Sequence, residues 1–141
     1  MKDVSIVLPT YNEAGNLPWL VPRICEVLEQ AGLDGEIIVV DDNSPDQTGA
    51  EAERLAESWP LQVIVRREQR GLSTAVIQGF RSSQARVCVV MDADGSHPPE
   101  RLPAMLEPIL RGETKITVAS RYIPGGAPGL DPLGPVRIAR V

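Results

Sequence analysis

Two carboxylates, Asp92 and Asp94, stand one residue apart where an apolar run, residues 87–91, gives way to Gly95-Ser96-His97-Pro98-Pro99-Glu100. The run reads as a short strand buried on both faces. Alternation along an extended chain sends both carboxylates to one side and Ala93 to the other. Like charges held that close raise each other's pKa unless a cation lies between them. A hard divalent ion removes that cost, and Mg2+ binds through one or two carboxylates completed by the phosphates of a substrate. The pair therefore suits a metal-diphosphate site. Taken alone, Asp-Ala-Asp-Gly equally describes a solvated turn after a strand, so the rest of the chain has to decide between the two readings.

The elements that would position such a pair follow from the apolar pattern. Strands are expected at residues 4–8 (ended by Pro9), 36–40, 61–65, 87–91 and 116–119. Helices are expected at 16–30, with Asn16 as N-cap and Gly32 as stop, at 48–58 and 72–83, and from 98 to 110 with Gly112 as terminator. Pro22 is expected to kink the first helix or delay its start. Thr48 with Glu51 three residues on reads as a capping box. Strand and helix alternate throughout, and the strands are too continuously apolar to bury one face only. An open, mainly parallel α/β sheet with helices on both faces follows. In such sheets ligands bind beyond the carboxyl ends of the strands. Those ends carry Tyr11 and Glu13, Asp41 and Asp42, Asp92 and Asp94, and Ser120 and Arg121. Residues 122–135, rich in Gly and Pro, read as a mobile loop, and residues 136–141 as the opening of a helix.

Composition narrows the class. At 141 residues, 43% hydrophobic and 23% charged, the chain fits one globular domain. No run approaches the roughly 20 apolar residues of a membrane span, and the start enters a strand pattern directly, so the expected location is the cytoplasm. A formal charge of -5 argues against nucleic acid as partner. Cys25 and Cys88 have no motif spacing and read as small apolar fillers in a reducing compartment. No Gly-X-Gly-X-X-Gly follows the first strand and no Gly-X-X-X-X-Gly-Lys-Ser/Thr occurs anywhere, which excludes dinucleotide and P-loop chemistry. A phosphoacceptor receiver domain would need an Asp on the third strand, and residues 61–65 hold none. His97, the only histidine, has no second His or Cys beside it and reads as a supporting group before the prolines.

Five segments, in order and spacing, resemble the family 2 glycosyltransferases: Val7-Leu8-Pro9-Thr10-Tyr11-Asn12-Glu13, Val39-Val40-Asp41-Asp42-Asn43-Ser44-Pro45-Asp46, Gly71-Leu72-Ser73-Thr74-Ala75, Met91-Asp92-Ala93-Asp94-Gly95-Ser96-His97-Pro98-Pro99-Glu100 and Ser120-Arg121-Tyr122. Within that family the likeness is greatest to the dolichyl- or polyprenyl-phosphate mannosyltransferase branch. The resemblance implies a Rossmann-like nucleotide-sugar-binding domain of the GT-A type over residues 1–121, followed by a loop and the start of an incomplete acceptor-side segment over 122–141. It implies an inverting transfer of a hexose, mannose from GDP-mannose, onto a polyprenyl or dolichyl phosphate with Mg2+ or Mn2+.

Residue by residue, the resemblance places Pro9, Tyr11 and Glu13 on the base and ribose, and Val40 and Asp42 in the base pocket. Asp92, Asp94 and Ser96 would be the metal group, with Ala93 beside the donor. Asp94 and Arg121 are the expected catalytic residues, Arg121 holding a phosphate with help from Arg137. A lipid phosphate is already anionic at neutral pH and needs no general base, whereas a glycan hydroxyl acceptor would need one. Gly95 departs from the branch, where a bulky apolar residue is usual, and so does Ser73, where Gly is usual. Of the branch's aromatic-X3-Arg-X3-Ser pattern only the Arg is kept, in Leu133, Arg137 and Val141. The expectation is a chain truncated at its C-terminus. It would work with a partner chain or a missing C-terminal segment, in peripheral contact with the cytoplasmic membrane face, or serve as a non-catalytic nucleotide-sugar-binding module.

Overall fold

The computed structural model describes residues 1–120 and the strand at 137–140, and divides into two compact units, Met1–His97 and Pro98–Val141. The first unit is built on four parallel strands in the order β3-β2-β1-β4: β1 Val4–Thr10, β2 Gly35–Asp41, β3 Leu61–Val65 and β4 Val87–Val90. Helices α1 (Leu17–Gln30), α2 (Thr48–Ala56) and α3 (Leu72–Ser82) connect them. Right-handed crossovers in this order put α1 and α2 on one face and α3 on the other. The side chains agree. Val7, Ile38, Val40 and Ile64 pack with Ala75 of α3, while Leu28 of α1 lies against Gly35 and Val4 from the opposite side. With both faces covered, the alternate residues Ile6, Leu8, Ile37 and Val39 are also wholly buried.

β1 does not stop at Pro9 but runs to Thr10. The Val7 carbonyl accepts from Met91 on the β4 side and the Thr10 carbonyl accepts from Asp42 on the β2 side. Alternation therefore turns Pro9 toward β4, beyond the last pair Val7↔Val90, where no ladder bond needs its missing N–H. β4 is an edge strand in this sheet and Val90 is 38% exposed, so the expected burial on both faces holds for β1 and β2 rather than β4. α1 begins at Leu17 and continues through Pro22. It ends as the glycine pattern predicts: Gly32 N–H donates to the Glu29 carbonyl and Leu33 N–H to that of Leu28. Burial pushes the Cys25 thiol up to about 11, which fits an inert filler.

In the second unit a 3₁₀ turn, Pro99–Arg101, leads into α4, Leu102–Leu110. Gly112 closes that helix by the same paired bonds, to Ile109 and from Glu113 to Pro108. β5, Thr117–Ser120, pairs antiparallel with β6, Arg137–Arg140, in a separate two-stranded sheet. The fifth strand thus stands outside the parallel sheet among the described residues. Residues 137–140 form a strand where the opening of a helix was expected, because four residues are too few to display a helical period and pairing with β5 decides. The Gly- and Pro-rich stretch 122–135 lies outside the described residues. No helix among the described residues is long and apolar enough to cross a membrane.

Candidate functional site

The carboxyl ends of β2, β1 and β4 lie side by side, and the loops leaving them carry the candidate residues. The loop after β1 is fixed by the loop after β2. Three successive main-chain N–H groups donate across: Asn12 to Ser44 Oγ (2.9 Å), Glu13 to Thr48 Oγ1 (2.9 Å) and Ala14 to Asp46 Oδ2 (3.2 Å). Asp46 in turn accepts from the Thr48 N–H and hydroxyl. Thr48 is thus the first residue of α2 rather than a capping-box N-cap, and Glu51 pairs with Arg54. The N-cap is Gln47, in the left-handed region at φ 69. Asp41, 1% exposed, accepts from the Thr10 hydroxyl and from both the N–H and hydroxyl of Ser44, so it ties the two strand ends together.

On this frame the Glu13 carboxylate is held by the Asn16 amide at 2.6 Å, which takes that side chain away from capping α1. Tyr11 is 48% exposed, with the Arg70 guanidinium 5.6 Å from its ring centre. Asp42 is engaged on both oxygens. Arg66 Nε and Nη2 reach Oδ1 at 2.6 Å and the Gly71 N–H reaches Oδ2 at 2.9 Å. Arg66 also donates to Thr74 Oγ1 (2.7 Å) and the Gly71 carbonyl (2.8 Å). Gly71, at φ 119, adopts a conformation that a side chain would strain, which lets its N–H and carbonyl serve both partners. Val40 is 0% and Ala93 2% exposed, so neither offers a ligand any side-chain surface.

After β4 the chain bends instead of staying extended. Asp92 and Asp94 are therefore arranged by a turn and not by strand alternation. Asp94 Oδ1 accepts from the Ser96 hydroxyl (2.6 Å) and N–H (2.9 Å), and these bonds, the hydroxyl's first, hold its carboxyl below the usual carboxylate range. Ser96 thus directs its hydroxyl at Asp94. His97 Nδ1 accepts the Asp92 N–H at 3.0 Å and closes the turn, its Nε2 lying 3.6 Å from Asp92 Oδ2. Gly95, at φ 84, rests against the Trp19 ring: an added Cβ would come within 3.0 Å of it. At this positive φ, a side chain here would be strained and would press on the Trp19 ring.

Among the described residues no group of three or more His, Cys, Asp or Glu side chains is placed to hold a metal ion. The donor set on offer is the half-exposed Asp92 and the ionised Asp94, hard oxygens that fit Mg2+ or Mn2+ with a diphosphate completing the shell. Arg121 lies outside the described residues, and Arg137 falls in β6 of the second unit. Several residues of the frame carried no site role in the sequence: Trp19, Asp46, Arg66, Arg70 and Thr74, while Asn16 was expected only as a helix cap. Asp46 and Thr48 had a visible signal, the Asp-X-Thr spacing of a side-chain turn. Arg66 had none beyond being one of three arginines just past a strand end.

The family model described as Glycosyl transferase family 2 matches residues 5–137. The dolichol-phosphate mannosyltransferase of Pyrococcus furiosus is 49% identical over 123 residues, covering 87% of this chain and 34% of that one. The polyprenol monophosphomannose synthase of Mycolicibacterium smegmatis is 43% identical over 126 residues, covering 86% and 46%. The chain thus spans between a third and a half of the length of these relatives. A solved mannosyltransferase from Pyrobaculum calidifontis, in complex with GDP-Man and Mn2+, superposes with a TM-score of 0.66 at 27% identity, over 77% of this chain and 34% of that one. With nearly the whole chain matched and the parallel α/β fold shared, this protein belongs to the family 2 glycosyltransferases.

Proposed function

We propose that this chain is the nucleotide-sugar-binding part of an inverting hexosyltransferase that moves mannose from GDP-mannose onto a polyprenyl or dolichyl phosphate. The observation that carries the reading is the set of three adjacent strand ends, each delivering an acid on a braced loop, in a chain 43–49% identical to polyprenyl-phosphate mannosyltransferases. Tyr11 offers an aromatic face to the base, Glu13 accepts from ribose hydroxyls and Asp42 accepts from a ring N–H. Asp94, with Asp92 beside it, would hold Mg2+ or Mn2+. An ion held there would supply the positive charge that neutralises the diphosphate leaving group. Pro9, Ser96, Arg121 and Arg137 complete the proposed set, Ser96 by fixing the Asp94 carboxylate and Arg121 by holding a phosphate. The acceptor phosphate attacks the anomeric carbon from the side opposite the leaving group, and needs no general base. Work at the cytoplasmic membrane face, in peripheral contact with the bilayer that holds the acceptor, belongs to the same proposal.

A second reading, a nucleotide-sugar-binding module that transfers only with a partner or a further segment, is favoured by one observation: every braced acid of the site lies in a single unit, Met1–His97. One assay separates the two. Radiolabelled GDP-mannose, Mn2+ and polyprenyl phosphate are incubated with the protein and the organic phase is counted. Label in the lipid supports transfer by this chain. Calorimetric binding of GDP-mannose without lipid label supports the module, and absence of both overturns the donor assignment.

A further inference from the structure

We propose that Arg66 is a positioning residue for base recognition: it aims the Asp42 carboxylate at the nucleotide. The inference rests on the nucleotide-sugar reading of this site. Arg66 is 5% exposed, yet it sits just past the end of β3 and spends its guanidinium on three acceptors, one after β2 and two at the start of α3. The first is Asp42 Oδ1. The others, Thr74 Oγ1 and the Gly71 carbonyl, lie at the start of α3. A planar fork with donors in fixed directions can hold all three at once, which a lysine ammonium on a flexible stem cannot.

The consequence falls on Asp42. Arg66 takes one carboxylate oxygen and the Gly71 N–H takes the other, so the group cannot rotate without losing a bond. Oδ2, with the Gly71 N–H as its one donor here, keeps a lone pair, and the side chain keeps 14% of its surface open. What remains is an acceptor of fixed direction, the property needed to tell one base edge from another. The clasp reaches further. Residues 67–70 are bracketed by Arg66 and Gly71, both bonded to Asp42, and Arg70 from that segment stands over the Tyr11 ring. One arginine thus couples the acceptor, the loop and the aromatic face. A buried ion pair kept only for stability can usually be exchanged for apolar groups at little cost; here the geometry supplies direction instead.

The test compares GDP with UDP in Mn2+ by calorimetry, on the wild-type chain, Arg66→Lys and Thr74→Val, with melting temperatures in parallel. The wild type is expected to prefer one of the two. Arg66→Lys, still folded, should bind the preferred nucleotide about tenfold more weakly and the other less than about threefold so, collapsing the ratio. Thr74→Val should move the ratio the same way by less, and decides the matter if Arg66→Lys does not fold. An equal loss for both nucleotides, with the ratio preserved, would show a purely structural arginine and overturn the inference. A wild type without preference also overturns it. A wild type that binds neither nucleotide instead brings down the nucleotide-sugar reading, and the positioning role with it.

Discussion

Asp94 illustrates what single residues contribute. Its carboxylate accepts two bonds from Ser96, and both favour the charged form. A carboxyl whose folded pKa lies below its unfolded value adds stability that is present above the ordinary carboxylate range and is lost as pH falls through the folded pKa. Ser96→Ala removes the hydroxyl bond and leaves the N–H bond, so Asp94 should titrate at higher pH, which an NMR titration of the side-chain carboxyl reads. The same change should weaken Mn2+-dependent GDP binding by about tenfold, the usual effect of removing a group that orients a metal ligand. Asp94→Asn should go further and abolish metal-dependent binding, since an amide cannot neutralise the cation; unchanged calorimetric affinity in Mn2+ would contradict the metal role. Trp19 belongs to this scale too. Without its ring against Gly95, the turn that carries Asp94 would lose its support from α1.

At the scale of elements, α3 meets the sheet through Gly79, where an added Cβ would penetrate the Val7 side chain. Val7 is wholly buried in the central strand and cannot move aside. Gly79→Ala should therefore destabilise the fold by about 1–3 kcal/mol, the range for overpacking a tight core, seen as a lower denaturant midpoint with an unchanged slope. A stability equal to wild type would mean that α3 can lift from β1. The elements themselves were legible in the sequence because their signals are local. Runs of Val, Ile and Leu bounded by Gly, Pro and Asp give β1, β2 and β3, and Gly32 and Gly112 mark two helix ends. What was not legible depends on partners distant in sequence. Arg66 meets Asp42 across 24 residues, and Glu13 meets Thr48 across 35. Thr48 looked like a cap because Thr-X-X-Glu is a local pattern, but Asp46 and the Glu13 N–H claim its hydroxyl first. β4 looked doubly buried because its composition matches β2, whereas burial depends on where the strand falls in the sheet. The acids of the site could be listed from sequence; the frame that aims them could not.

For the molecule as a whole, the proposed division of labour follows the two units. Every proposed donor-side residue from Pro9 to Ser96 lies in Met1–His97, while Arg121 and Arg137 belong to Pro98–Val141. Donor binding and transfer should then respond to different substitutions. A nucleotide held by Tyr11, Glu13, Asp42 and Asp94 keeps its contacts when Arg121 is lost, whereas a phosphate moving toward or away from the anomeric carbon loses a bidentate cation. Arg121→Ala should therefore leave calorimetric GDP affinity in Mn2+ within about threefold of wild type and the melting temperature nearly unchanged, and lower mannosyl transfer to polyprenyl phosphate by tenfold or more, a loss of roughly 1.4 kcal/mol or more of transition-state stabilisation. Loss of affinity in step with transfer would make Arg121 a donor ligand like the others. A large fall in melting temperature with normal transfer would make it a structural residue and remove it from the site.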